Sequence, residues 1–384
     1  MTNNYFDHAA SAPMHPDVAK AMMDVLTKTV GNASSVHRFG REARQLINQA
    51  RDSIAAGIGC SSSELIFTSG GTESDNAAIV GIAKACRKRG KTHIITSAVE
   101  HHAVLHTCEA LEREGFRLTV LPVDEFGRVT PADVEAAIRP DTALISIMYA
   151  NNETGTIQPI EEIGCIARSN AVFFHVDAVQ ALGLLPIDLR SLPVDLMSFS
   201  AHKINGPQGV GALYIKKQIP FEPLLYGGQQ ERKRRAGTEN VAGIIGFAKA
   251  FELSVNFMPE RKLFLDKLRY TWIDRLQQLV GAEDLILNGH KAERLPHIVN
   301  LSFIGVDTET LLMNLDLEGI AASSGSACTA GALEPSHVLR AMGISQERIS
   351  SAVRFSFGLG NTMEEIEQAA KKVATFINRV RNNS

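Results

Sequence analysis

Between Glu64 and Tyr214 short apolar, β-branched runs alternate with longer amphipathic stretches, and this alternation constrains the fold more than any other feature of the chain. A short apolar run bounded by turn residues and followed by a helix-length amphipathic segment reads as the buried strand of a βα unit. Such units join through crossovers, so the sheet they build is mainly parallel, with helices on its faces. Seven strands are expected: Leu65–Thr68, His93–Ser97, Arg117–Leu121, Ala143–Met148, Val172–Val176, Leu196–Ser200 and Val210–Ile215. Helices are expected between them at Glu73–Arg89, Val104–Glu114, Ala132–Ile138 and Ile160–Ser169, the third with Thr130 as N-cap and Pro131 at N1.

After Thr238 a long helical pattern is interrupted at Met258-Pro259, where the proline ends or kinks one helix before the next runs to Leu279. The rest reads as strand Ile298–Phe303, helix Thr308–Leu317, a Gly/Ser/Ala loop over Ser323–Leu333, a helix, strand Ala352–Phe357 and a last helix opened by the capping-box spacing Thr362-x-x-Glu365. This is a smaller α+β unit, with the boundary near Pro259.

Composition narrows the class. A chain of 384 residues has room for two or three globular units, and 45% apolar with 21% charged residues excludes a mainly disordered state. The formal net charge of -3 provides no global positive field, so nucleic-acid binding would have to be local and none is expected. Five cysteines, odd in number, widely spaced and without a CxxC, point to a reducing compartment rather than to disulfides or a zinc site. No basic and apolar leader opens the sequence, and no window is apolar over the roughly 18 residues a bilayer demands. A cytoplasmic protein without membrane attachment is expected.

Three segments carry polar chemistry at strand ends. Thr68-Ser-Gly-Gly-Thr-Glu-Ser-Asp75 follows a strand and opens a helix, where free N–H groups and hydroxyls make a phosphate cradle. An ordinary strand-to-helix turn with Thr72 as N-cap explains it as well. Phe173-Phe-His-Val-Asp-Ala178 ends an apolar strand in a carboxylate, at the mouth of the sheet where ligands collect. Asp195-Leu-Met-Ser-Phe-Ser-Ala-His-Lys203 ends another in a hydroxyl, an imidazole and an amine. Singly, the aspartate reads as a cap and the lysine as a solvated surface residue. Together, a phosphate cradle, a carboxylate and a lysine are what pyridoxal phosphate requires.

The segments TSGGTESDN, EHHAV, NNETG, HVDAVQ, SFSAHK, RAGTEN and SSGSACTAG, in this order over nearly the whole chain, resemble the cysteine desulfurases (NifS/IscS-like) of the class V aminotransferase-like group. The resemblance implies a fold-type I pyridoxal-phosphate enzyme with a large α/β domain over 15–258 and a small α+β domain formed by 1–14 and 259–384, which carries the cysteine loop 323–333. It implies Lys203 as the Schiff-base lysine, Asp177 on the pyridine nitrogen, Gln180 and Asn152 near the ring hydroxyl, and Asn152 also near the substrate carboxylate. Gly71, Thr72, Ser200 and His202 would bind the phosphate, and His101 would stack on the ring and move protons. The neighbouring His102 reads as a surface helix residue. Thr238 would reach the phosphate of the neighbouring subunit, making the active form a homodimer. Arg354 would bind the substrate carboxylate.

Cys328 lies among Ser323-Ser-Gly-Ser-Ala-Cys-Thr-Ala-Gly-Ala332, where Gly325 and Gly331 could act as hinges. The resemblance makes its thiolate the acceptor of sulfur from L-cysteine, leaving L-alanine and a persulfide passed on to an acceptor protein, an iron–sulfur scaffold or a tRNA-thiolating enzyme. Cys60, Cys86, Cys108 and Cys165 fall in helical or turn patterns and receive no role. Two other readings use the same residues: a related lyase or aminotransferase that does without Cys328, and a silent homologue serving as a binding partner.

Overall fold

The computed structural model describes residues 4–325 and 335–382. Its elements, in chain order, begin with β1 (Asn4–Tyr5), α1 (Pro16–Lys28) and α2 (Arg38–Ile58). The βα region follows: β2 (Leu65–Thr68), α3 (Gly71–Arg87), β3 (His93–Ser97), α4 (His102–Arg113), β4 (Arg117–Leu121), α5 (Pro131–Ala137), β5 (Thr142–Ser146), α6 (Ile160–Ser169), β6 (Phe173–Asp177), β7 (Leu196–Ser200) and β8 (Gly211–Ile215). Two long helices, α7 (Val241–Asn256) and α8 (Met258–Val280), lead to β9 (Leu285–Asn288), β10 (Ile298–Phe303), α9 (Thr308–Leu317), β11 (Ile320–Ala321), α10 (His337–Ala341), α11 (Gln346–Ile349), β12 (Ala352–Ser356) and α12 (Met363–Asn382).

The seven expected strands form one sheet in the order β2-β8-β7-β6-β5-β3-β4. Only β8 runs against the others, pairing antiparallel with both β2 and β7. Every residue of β2, β3, β5, β7 and β8 is buried, which is why these strands read as apolar runs rather than as alternating ones. A second sheet, β12-β10-β9, is antiparallel. The N-terminus joins this second part of the chain, because β1 pairs with β11 and Asp7 bridges to Ser356. The single tryptophan, Trp272 on α8, is fully buried between Phe6 and the β12-side rings of Phe355 and Phe357, with centroids 4.7 to 5.9 Å away.

The break at Met258-Pro259 is real: α7 and α8 meet at a 75° bend, with Pro259 in the first turn of α8, where its missing N–H costs nothing. α7 packs on α1 and α2 while α8 packs on α12. No single helix among the described residues is long and apolar enough to cross a membrane. The capping box at Thr362 forms as spaced, with Thr362 N donating to Glu365 Oε2 and Glu365 N to Thr362 Oγ1.

One local expectation is corrected. α3 starts at Gly71 with Gly70 as its N-cap, so Thr72 lies inside the first turn and caps nothing. Gly70 has φ +154°, a conformation glycine adopts without strain, and this lets the chain turn into the helix earlier than a threonine cap would.

Candidate active site

The C-terminal ends of the parallel strands converge on one cavity of about 360 Å³, continuous with a second, outer one of about 350 Å³ through Ala10, Gly71, Thr72, Ser200 and His202. The outer cavity lies at the strand-to-helix turn from which the sequence leads one to expect a phosphate cradle. Gly70 and Gly71 line it as bare backbone, and a Cβ on Gly71 would fall 2.7 Å from Val179 Cγ2. The N–H groups that open α3 have no partners inside the helix, and the hydroxyls of Thr72 and Ser200 and the imidazole of His202 surround them. His202 Nδ1 lies 3.2 Å from Ser11 Oγ, and burial pushes its pKa down to about 4, so it is a neutral hydrogen-bonding group here.

Lys203 sits in the 3-10 turn Ala201–Ile204 that follows β7, and its Nζ donates to the carbonyls of Ala9 and Ala10 at 2.6 and 2.7 Å. The N-terminal segment therefore forms a wall of the cavity. Asp177, the last residue of β6, accepts the Val179 N–H at 2.9 Å. Burial raises its pKa to about 6, and that N–H and the Lys203 charge oppose the rise, leaving it mostly ionised at neutral pH. Gln180 donates from Nε2 to Ala9 O at 3.0 Å. Thr238 is exposed and lines neither cavity of its own chain, although Arg235, three residues earlier, pairs through Nε with Glu73 of α3 at 2.8 Å.

His101 is the N-cap of α4. Its Nδ1 accepts the Ala103 N–H at 3.1 Å, which places the proton of the neutral ring on Nε2. Burial, then the charge of Lys203, lowers its pKa to about 4. His102 is not a plain surface residue: its ring lies parallel on His106 at 4.8 Å between centroids and 4.7 Å from His337 of α10. Among the described residues no group of three or more histidines, cysteines or carboxylates is arranged to hold a metal ion.

Arg354, on β12 and 3% exposed, reaches the same cavity from the second sheet. Nη1 donates to Asn152 O at 2.9 Å and Nη2 to Asp7 Oδ1 at 2.8 Å, while Nε is buried without a partner. Asn152 lines the cavity beside it. Cys328 lies outside the described residues. Gly325, three positions ahead of it, lines the cavity.

Sequence reasoning passed over three carboxyls. Asp75 of α3 lines the cavity, 1% exposed, with Oδ1 3.6 Å from His175 Nε2, and burial and the Asp177 charge hold its pKa well above the usual range. Glu100 is buried beside His101 and raised by burial to about 8. Glu153 in the NNETG segment is 2% exposed and accepts the Ser336 hydroxyl on Oε2 at 2.5 Å. All three lie within segments singled out in the sequence, Thr68–Asp75, EHHAV and NNETG, so an acidic residue inside such a motif was the available signal.

Comparison with known proteins agrees with this geometry. Residues 4–369 match the class-V aminotransferase family. A cysteine desulfurase IscS of Methanosarcina thermophila is 50% identical over 380 residues, 99% of this chain and 93% of that protein. The solved structure of a NifS-like protein superposes with a TM-score of 0.92 at 38% identity, covering 98% of this chain and 100% of its own. That of SspA in complex with cysteine superposes with a TM-score of 0.81 at 35% identity, covering 93% and 99%. The chain belongs to the class-V aminotransferase family and, within it, to the cysteine desulfurases.

Membership implies pyridoxal phosphate, and the residues fit that group. A bare-backbone anion cradle, an amine at a strand end, an ionised buried carboxylate and a neutral imidazole share a volume of the size small-molecule sites have, about 300–1,000 Å³.

Proposed function

We propose that this chain removes sulfur from L-cysteine, retains it as a persulfide on Cys328 and delivers it to an acceptor protein in the cytoplasm, an iron–sulfur scaffold or a tRNA-thiolating enzyme. The observation that carries the reading is the convergence of Lys203, Asp177, His101 and Arg354 on one cavity that Gly325, just ahead of Cys328, also lines. The substrate is supported by the likeness to SspA, whose solved structure contains cysteine. Pyridoxal phosphate, when bound, supplies a ring that accepts the electron pair released at the substrate Cα.

The chain's own residues do the rest. With pyridoxal phosphate bound, Gly71, Thr72, Ser200 and His202 would hold its phosphate at the start of α3, Asp177 would keep a proton on the ring nitrogen, and Gln180 and Asn152 would orient the ring. Arg354 binds the substrate carboxylate with its planar fork, set on a strand that fixes its direction. Lys203 Nζ takes the Cα proton. His101, with its proton on Nε2, lines the cavity where it would lie against the ring and exchange protons with the substrate. The Cys328 thiolate attacks the substrate sulfur, so a new S–S bond forms as the substrate C–S bond breaks, and the carbon skeleton gains a proton to leave as L-alanine. A second thiol can then take the sulfur from the persulfide.

The test compares wild type with Cys328→Ala, each given pyridoxal phosphate, L-cysteine and a reducing thiol, with alanine and sulfide measured together. Wild type should make both in equal amounts and the variant neither. A variant that keeps its bound cofactor and makes both at the wild-type rate would show that Cys328 is not the nucleophile.

A further inference from the structure

A polar row crosses the buried sheet on the face that α3 covers, and the proposed mechanism uses only the residue at its end. Ser146 of β5, His175 of β6 and Ser198 of β7 are all fully buried. Strand register sets Ser146 beside His175 and Ser198 beside Asp177, and alternation along β6 puts His175 and Asp177 on the same face. Asp75 of α3 meets this row with Oδ1 3.6 Å from His175 Nε2, and it lines the cavity together with Asp177.

The row has a direction. Ser146 Oγ lies 2.8 Å from His175 Nδ1 and has no other acceptor among the described residues, so its O–H donates there. Burial lowers the pKa of His175 to about 3, so the ring is neutral and its one proton sits on Nε2, 2.9 Å from Ser198 Oγ. Ser198 accepts that N–H, which leaves its own O–H for the Asp75 carboxyl it faces. The titratable groups facing Asp75 are Asp177 and His175 from β6 and Glu100 from the turn before α4. Two carboxyls in one desolvated site do not both ionise, because the second charge meets the first at a low effective dielectric. Their partners decide which keeps the proton. Asp177 has the Val179 N–H at 2.9 Å and the positive charge of Lys203, whereas Asp75 meets the Ser198 hydroxyl and the neutral His175 ring.

We propose that Asp75 is a positioning residue for the ring-nitrogen carboxylate: set by the Ser146–His175–Ser198 row, it holds the one proton of the Asp75–Asp177 pair and so keeps the negative charge on Asp177. Its proton stays in place through the reaction. The role rests on the reading of Asp177 as the partner of the cofactor's ring nitrogen, whereas the placing of the proton is a property of the chain alone, and the two can be tested apart.

The experiment uses the full-length protein and reads two quantities. One is the infrared carbonyl band of protonated aspartate, followed against pH with isotope-labelled aspartate so that Glu100 and Glu153 do not contribute; the other is the affinity for pyridoxal phosphate. Wild type should show a buried protonated aspartate at neutral pH that Asp75→Asn lacks. In Asp177→Asn the remaining band should titrate at least about one pH unit lower than in wild type, because the neighbouring charge is gone. In Ser198→Ala it should titrate higher, because the hydroxyl that favours the ionised form is gone. Asp75→Asn, which keeps the shape and the neutrality, should bind pyridoxal phosphate within about twofold of wild type at neutral pH, and Asp75→Ala, which leaves Ser198 without a partner, about tenfold more weakly. An unchanged band in Asp75→Asn, or the same titration in Asp177→Asn as in wild type, would overturn the placing of the proton. Asp75→Ala binding as tightly as wild type would overturn the positioning role. Carboxyl titrations as expected in a wild type that binds no pyridoxal phosphate would instead overturn the cofactor reading, so the failures are distinguishable.

Discussion

Glu100 and Asp177 are both buried carboxyls, Asp177 lining the cavity and Glu100 directly preceding the cavity-lining His101, and the difference between them lies in what opposes burial. Asp177 has the Val179 N–H and the Lys203 charge and is held to a pKa of about 6. Glu100 has the Ser97 hydroxyl at 2.6 Å and the Met148 N–H at 3.1 Å on one oxygen, nothing on the other, and is raised to about 8. At neutral pH Asp177 is mostly charged and Glu100 mostly neutral, the division a site needs to present one negative group to a ring nitrogen. The consequence for stability has a definite sign. Because the folded protein holds the Glu100 proton more tightly than the unfolded chain does, its contribution is full below the ordinary value of 4.5 and is lost as pH rises through about 8. Over that window the loss is at most about 1.4 kcal/mol per pH unit. Glu100→Gln keeps an acceptor for Ser97 and Met148 but cannot ionise, so its unfolding free energy, measured with denaturant at pH 6, 7 and 8, should gain on wild type at each step. Parallel wild-type and variant profiles would refute the assignment. His101 and His202 act in the opposite direction: with folded pKa values of about 4, below the ordinary 6.5, their contribution is present above 6.5 and lost as pH falls through 4.

At the scale of elements, the segment that precedes Thr238 shows how distant contacts impose a local shape. Glu231, Arg232 and Lys233 all have positive φ, between 45° and 65°, with no glycine among them. What holds this left-handed turn is a buried pair: Arg51 of α2 grips Glu231 with Nη1 and Nη2 at 2.6 and 2.7 Å, Phe67 N of β2 donates to the same carboxylate at 3.1 Å, and the guanidinium lies 4.6 Å over the Phe67 ring. Removing one member leaves a buried charge alone, so Glu231→Ala should cost about 3–5 kcal/mol in denaturant unfolding. A loss under about 1 kcal/mol would mean that the pair does not hold the turn. No local pattern announces this turn, and that marks the limit of what the sequence carries. The sheet strands were legible to within a residue or two because burial on both faces writes them as apolar runs. α2 was not assigned, since its inner face is Ala43, Ala50 and Ala55 with Arg51 among them, and only Ile47, Ile54 and Ile58 provide contrast. β1 and β11 are two residues each and pair across the whole chain, beyond any local signal. The site divides in the same way: Lys203, Asp177 and His101 end strands or start helices and stand out, whereas the Ala9 and Ala10 carbonyls that meet Lys203 join the site only through tertiary contact.

For the whole molecule, the N-terminal segment and the chain after Met258 share a sheet pairing, a bridge at Asp7 and Ser356 and the Trp272 cluster, which supports the proposed division into 15–258 and a smaller unit formed by 1–14 with 259–384. The cavity lies between the two, with Lys203 from one and Arg354 from the other. Within a single chain the outer cavity, proposed to hold the phosphate, opens to the surface, and Thr238, exposed and outside both cavities, does not line it. The proposed homodimer assigns Thr238 to the neighbour's cradle, and this has a consequence no cis arrangement shares. In a hybrid of one Lys203→Ala chain and one Thr238→Ala chain, the site that keeps its lysine belongs to the Thr238→Ala chain and receives its threonine from the partner. That site is then chemically complete. Thr238→Ala homodimers should bind pyridoxal phosphate about tenfold more weakly than wild type, the loss of one hydrogen bond to a charged group, roughly 1.5 kcal/mol. Hybrids carrying two different affinity tags, purified for both and titrated with cofactor, should recover wild-type affinity at their lysine-bearing site. If the hybrid binds as weakly as the Thr238→Ala homodimer, Thr238 serves the cradle of its own chain, and the site does not need a second subunit to be complete.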